Sequence, residues 1–237
     1  MILRRLAGAF RKQDWFTVAL EVLIVVVGIL IGLQVDDWNQ QRKDRAEEIV
    51  YLDRLLRDVE SSLDIQRASI ENASSRHENT RLLVSVIDAG DLGDMTNDEF
   101  SDRLSNAWGF PAMTLMTATM DELVATGNIT LLRSTRLREE IGQVLEQYEN
   151  MERYYQNAVN VSLDATSRLY QHTRRIWLDE NRVVISTPFA ELIDNASFRA
   201  ALDQQAHAFG AIRDDLREVH ALTQKYHEVL KNTGDNP

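Results

Sequence analysis

The sequence contains no cysteine. That excludes disulfide bonds, thiolate metal sites, a catalytic thiol and a lipidated cysteine anchor. Proline occurs 3 times in 237 residues and glycine 10 times, so little interrupts long helices. Also missing is a basic stripe. The net charge is −11, from 26 basic and 37 acidic residues. Arg4, Arg5, Arg11, Lys12, Asp14 and Glu21 are the charged side chains of residues 1–35, which leaves 22 basic against 35 acidic residues, a balance of −13, for the remainder. Such a surface does not neutralise a phosphate backbone, so nucleic acid is not an expected partner. Common catalytic signatures are absent as well: no P-loop, no GxGxxG, no GxSxG, no HExxH and no Glu-x-x-His pair. The chain is therefore expected not to be an enzyme, with no catalytic residue, no metal ligand and no cofactor assigned.

What is present begins with an apolar run. Residues Thr17 to Val35 read TVALEVLIVVVGILIGLQV, and Val22 to Leu33 carry no charge. Nineteen helical residues span about 28 Å, close to the hydrocarbon thickness of a bilayer. Trp15 and Trp38 flank the run about 34 Å apart along a helix, which suits an aromatic belt at each interface. A cleaved signal peptide shares the basic start and apolar stretch, but no small-x-small cleavage site follows this one. A retained membrane anchor is the expectation, with the lipid bilayer as a partner. Ile2, Leu3, Leu6 and Phe10, with Arg4, Arg5, Arg11 and Lys12 around them, suit a short interfacial helix. Four Lys/Arg precede the span, and Arg42, Lys43 and Arg45 follow it. That bias points to a cytoplasmic N-terminus and an extracytoplasmic C-terminal domain at a cell inner (plasma) membrane.

The span has an internal pattern. Gly28 and Gly32 form a GxxxG motif, which lets helices approach closely. At 100° per residue, Glu21, Val25, Gly28, Gly32 and Val35 fall within about 40° of one line. The single ionisable residue of the span thus shares a face with both glycines. Intramembrane carboxylates normally face protein or water. The bland alternative is that Glu21 merely reaches the headgroups and the glycines are incidental. The functional reading is a contact face for self-association or for another membrane protein.

Beyond Asn39 the polarity rises and heptad seams appear. The first runs Ile49, Leu52, Leu56, Val59, Leu63, Gln66, Ile70, Ala73, His77, Thr80, Val84 and Ile87. The second runs Ile141, Val144, Tyr148, Met151, Tyr155, Ala158, Ser162, Ala165, Leu169, His172 and Ile176. The third runs Phe198, Leu202, Gln205, Phe209, Ile212, Leu216, Val219, Thr223, Tyr226 and Leu230. Steps of three and four predict long helices packed side by side. Ser134 is a candidate cap for the second, and Asn195 or Ser197 for the third. Thr96 or Asn97 caps a shorter helix, Thr119 and Glu122 suggest a capping box, and Gly127-Asn128 a helix stop. Residues 182–186 (RVVIS) read as a short strand or extended linker. The fold class is all-α: an N-terminal transmembrane helix followed by an antiparallel bundle of about three long and several short helices. The expected organisation is an interfacial basic segment at 1–16, a transmembrane helix at 17–35 and a soluble helical bundle at 36–237.

His77 and His172 occupy seam positions on different helices. Hydrogen-bonded core histidines are the main reading, and a pH-sensitive pair the sharper one. His220 and His227 lie a heptad apart and would need another helix to complete a metal site. Asp88, Asp91, Asp94 and Asp98 lack EF-hand spacing and read as a solvated turn. Tyr148, Tyr154 and Tyr155 with Met151 read as core, with a small-ligand pocket as the alternative.

The stretch LEVLIVVVGILIGLQVDDWN at 20–39 and the stretch TMDELVATGNITLLRSTRLREEIGQVLEQY at 119–148 resemble a family of uncharacterised bacterial single-pass membrane proteins, a domain-of-unknown-function family. The resemblance implies membrane placement and bacterial origin, and it transfers no catalytic residue. Two functions compete, with an enzyme of dispersed catalytic residues as a third. One is a membrane-anchored, non-enzymatic helical interaction or scaffold module. The other is an extracytoplasmic ligand-sensing bundle that signals through a partner protein.

Overall fold

The computed structural model describes residues 15–177 and 183–234. The expected interfacial helix at 1–16 lies almost wholly outside them, as do the side chain of Trp15 and Arg182 of the expected strand. Six helices and one small hairpin make up the described residues: α1 Trp15–Ala89, α2 Asn97–Ser105, α3 Ala118–Thr126, α4 Thr135–Gln171, β1 Arg175–Trp177, β2 Val183–Ile185, α5 Phe189–Leu192 and α6 Ala196–Gly234. A 3-10 turn, Asn128–Leu131, follows α3. The chain divides into two compact units, Met1–Val50 and Tyr51–Pro237.

In the first unit, every residue from Val22 to Leu33 is exposed. This part of α1 is one helix long and apolar enough to cross a membrane, and none of its apolar window is buried.

The second unit buries its apolar surface in its own core. All ten residues of the third seam are buried, from Phe198 to Leu230. In the second seam Ile141, Val144, Tyr155, Ala158, Ser162, Ala165 and Leu169 are buried. Ile176 departs from that pattern: α4 ends at Gln171, so Ile176 sits in β1 and is exposed. The first seam needs a correction of register. Val59, Leu63, Gln66, Ala73, Thr80 and Ile87 are buried, but Leu52, Leu56, Ile70, His77 and Val84 are only half-buried and Ile49 is exposed. Leu55, Ser62, Ser69, Leu83 and Val86 are the buried residues beside the seam in that stretch. The buried face of α1 is thus wider than a two-helix seam, because this helix packs against an extended segment as well as against helices.

Side-chain pairs give the helix directions. Lys225 meets Glu140, Gln205 meets Ser162 and Ser197 meets His172, so α6 runs antiparallel to α4. Gln66 meets Thr223 and Asp88 meets Arg199, so α6 also runs antiparallel to α1. The chain returns between α1 and α4 through residues 106–117, which form neither helix nor strand and run extended across 111–116, not through a fourth long helix.

The caps follow local chemistry. Thr96 and Glu99 form a complete capping box on α2. Ser134 caps α4 through Leu137 N, and Asn195 caps α6 through Phe198 N at 2.9 Å. Gly127 ends α3 at φ +77°, a left-handed conformation that glycine adopts without a Cβ penalty. The expected Thr119–Glu122 box does not form. Thr119 Oγ1 donates to Asp58 at 2.6 Å, and Glu122 accepts from Arg54 and Tyr51, so both side chains serve tertiary contacts.

Candidate functional site

Three features of the molecule can bear function: the exposed face of the apolar helix, the clasped extended segment, and a polar groove beside it.

Glu21, Val25, Gly28, Gly32 and Val35 all lie on α1 in the first unit and are exposed. A Cβ added at Gly28 or Gly32 would meet nothing within 4 Å, so both glycines are open to an approaching helix. Trp38 is exposed, and the Arg42 guanidinium lies 5.6 Å from its ring centroid.

The extended segment accounts for Gln66 and Gln205 inside the seams and for the hydroxyls of Tyr148 and Tyr155. An extended backbone points successive carbonyls to opposite sides. Here Ala112 O and Thr114 O face α1, where Ser69 Oγ and Gln66 Nε2 donate to them at 3.1 and 2.8 Å. Met116 N donates to Ser62 Oγ at 2.9 Å. The intervening carbonyls face α4: Tyr155 donates to Pro111 O, and Tyr148 reaches Met113 O at 3.5 Å. Upstream, Arg76 donates to Asn106 O and Trp108 O, and Gln205 Nε2 to Ala107 O at 3.1 Å. Backbone groups that lack a ladder are thereby satisfied by side chains. Burial raises the Tyr155 hydroxyl to about 12, so it stays a donor at neutral pH. The aromatic stripe on α4 is therefore split: Tyr148 and Tyr155 hold the segment, while Tyr154 faces outward at 69% exposure.

The histidines do not converge. His77 Nδ1 bonds Ala206 O at 2.9 Å, whereas His172 bonds Ser197 and Asn195. Those anchor points lie nine residues apart on α6, about 14 Å along its axis. The sharper reading, a His77–His172 pair, is thus overturned. His220 Nδ1 meets Gln66 Oε1 at 3.2 Å and His227 lies 3.5 Å from Glu60. Of the four aspartates, Asp88 lies in the last turn of α1, not in the loop, and pairs with Arg199, which holds its carboxyl below the usual range. Asp91 accepts from Gly93 N.

One buried hydroxyl stands out. Tyr226 is fully buried, and among the described residues its hydroxyl has no hydrogen-bond partner. Burial, with Asp58 and Glu140 nearby, pushes its pKa well up. An unsatisfied buried group costs about 1–3 kcal/mol. Tyr226→Phe is accordingly expected to raise stability by about 1 kcal/mol in urea unfolding. A loss of stability would mean that the hydroxyl has a partner in solution.

The groove was not legible in the sequence. Asn72, Ser75, Arg76, Glu78, Asn79 and Leu82 on α1, with Arg103 and Asn106 at the end of α2, line a depression of about 530 Å³. The α1 residues recur at steps of three and four, but they form the polar face of the helix, which reads as ordinary solvated surface.

A family of unknown function (DUF6090) matches residues 21–196. The chain belongs to this family. The DUF6090 match takes in the glycine-bearing helix face from Glu21 onward, the clasped segment, the groove and α4, and it ends at the first residue of α6. No curated protein and no solved structure matches the chain.

Proposed function

We propose that this DUF6090 member is a bacterial, membrane-anchored, non-enzymatic interaction module at the inner membrane. The observation that carries the reading is the contrast between its two units. The second unit closes its seams on itself, while the apolar residues 22–33 are left wholly exposed. Uncovered apolar surface of that length asks for lipid or for another helix. In this reading Glu21, Val25, Gly28, Gly32 and Val35 form the face that contacts a second copy or another membrane protein. Glu21 takes a donor from the partner helix, which offsets the cost of a carboxylate in hydrocarbon. The basic residues before the span, four against three after it, favour a cytoplasmic N-terminus with the bundle outside.

A membrane two-hybrid assay tests the contact face. Gly28→Ile with Gly32→Ile is expected to reduce self-association severalfold, because added side chains hold the helix backbones apart. Leu30→Ile, on the opposite side, is expected to leave it unchanged. Equal association of both variants would remove the proposed face. Reporters fused after Pro237 test orientation: activity of a cytoplasm-dependent reporter alone would reverse it. The groove on α1 and α2 favours a second reading, a ligand-sensing bundle that relays its state through a partner.

A further inference from the structure

We infer that the groove between α1 and α2 binds a small hydroxylated oxyanion, an acidic sugar or a sugar phosphate. Two arginines from neighbouring helices line one groove and are held by neutral groups. Arg45, Arg54, Arg57, Arg67, Arg168, Arg174, Arg199, Arg213 and Arg217 all pair with carboxylates. Arg76 and Arg103 do not, among the described residues, although the chain carries 37 acidic residues. Neutral groups hold them instead. Arg76 donates from Nε to Asn72 Oδ1 at 2.7 Å, and from Nη1 to Asn106 O and Trp108 O. Arg103 Nη1 donates to Asn79 Oδ1 at 3.2 Å, and Asn79 Nδ2 returns a bond to Arg103 O at 2.8 Å.

Both guanidiniums are thus oriented with no carboxylate bonded to either, although Glu99 acts on Arg103 through space, and both line the same groove. Arg76 keeps Nη2, and Arg103 keeps Nε and Nη2, free of those bonds. Asn79, which holds Arg103, follows Arg76 by three residues, about 4.5 Å along α1. Asn72, which holds Arg76, lies seven residues from Asn79, about 10 Å along α1, so the groove presents two fixed cations that a ligand the size of a sugar acid can span. Guanidinium groups recognise carboxylate and phosphate by paired charge-assisted bonds. The rest of the lining specifies the carrier. Ser75, Glu78 and the amides of Asn72 and Asn106 are donors and acceptors for hydroxyls, and Leu82 offers an apolar patch for ring C–H groups. Backbone bonds from Arg76 couple the groove directly to the clasped segment, so a ligand here contacts the element that ties α1 to α4.

The test uses the full chain in detergent, with ligand-observed NMR and calorimetry. Glucuronate and glucose 6-phosphate are the probes and glucose is the neutral control. At least one acid is expected to bind at about 1 mM or tighter, with glucose at least tenfold weaker. The stronger of the two acids identifies the carboxylate or the phosphate source. Arg103→Gln is expected to weaken that binding at least tenfold while leaving the unfolding midpoint unchanged, since Arg103 is exposed and does not hold the segment. Arg217→Gln, far along α6, is expected to have no effect. Equal binding of glucose, no binding of either acid, or unchanged affinity in Arg103→Gln would each overturn the site. None of these outcomes bears on association through Gly28 and Gly32, so the two readings fail separately.

Discussion

Phe209→Ala is expected to destabilise the bundle by about 3–5 kcal/mol, the range for emptying a buried aromatic site. Phe209 is fully buried at the centre of α6, in a cluster with Ala73 of α1 and Tyr155, Ala158 and Val159 of α4. Two of those neighbours are alanines, so the large ring fills the space that small residues on the facing helices leave. A cavity there collapses poorly. The alanines have no longer side chains to swing inward, and the clasped segment holds α1 and α4 apart through bonds on both of its sides. Gly210 is also committed: a Cβ there would stand 3.1 Å from the His77 ring, so this stretch of α6 is already close against α1. Urea unfolding of the full chain in detergent checks the value. The midpoint is expected to fall with an unchanged slope, because the same surface is exposed on unfolding. A change below about 1 kcal/mol would mean that the helices close over the site.

The sequence made the helices readable for a simple reason. Steps of three and four that persist over five heptads have few alternatives, and every residue of the third seam, from Phe198 to Leu230, is buried. Caps were legible where one side chain serves one helix end, as at Ser134 and Asn195. The pattern misled where a residue answers to a distant partner. Thr119 and Glu122 have capping-box spacing, but Asp58 and Arg54 of α1 claim them. Leu56 continues an apolar line, but the buried turn at that level belongs to Leu55, since α1 faces the extended segment on that side. That segment carried no periodic signal because its order comes from side chains elsewhere in the chain. Its trace was the polar residues interrupting the seams, Gln66 above all. The groove left no trace, since only the packing of α2 beside α1 brings Arg76 and Arg103 to one depression.

Gln66→Leu is expected to cost about 2–4 kcal/mol, an unusual loss for a change that adds apolar surface to a core. The side chain is fully buried and uses both ends of its amide. Nε2 donates to Thr114 O at 2.8 Å and to Thr223 Oγ1 at 3.0 Å, while Oε1 lies 3.2 Å from His220 Nδ1. One residue of α1 therefore joins the extended segment and α6. Leucine matches the volume but strands the Thr114 carbonyl and the His220 nitrogen, each at about 1–3 kcal/mol where burial withholds water. Thr223 suffers less, because its hydroxyl also donates to Val219 O at 2.8 Å. Glutamate at the same position separates bonding from packing: it keeps the acceptor for His220 and loses the donor for Thr114. Amide exchange and urea midpoints read the two together. Faster exchange confined to residues 109–117 is expected for Gln66→Leu, since the clasp loses its central bond there while Ser62 and Ser69 still hold either side. A Gln66→Leu protein as stable as the parent would show that the segment is retained by packing alone, and that the polar residues of the first seam do not hold it.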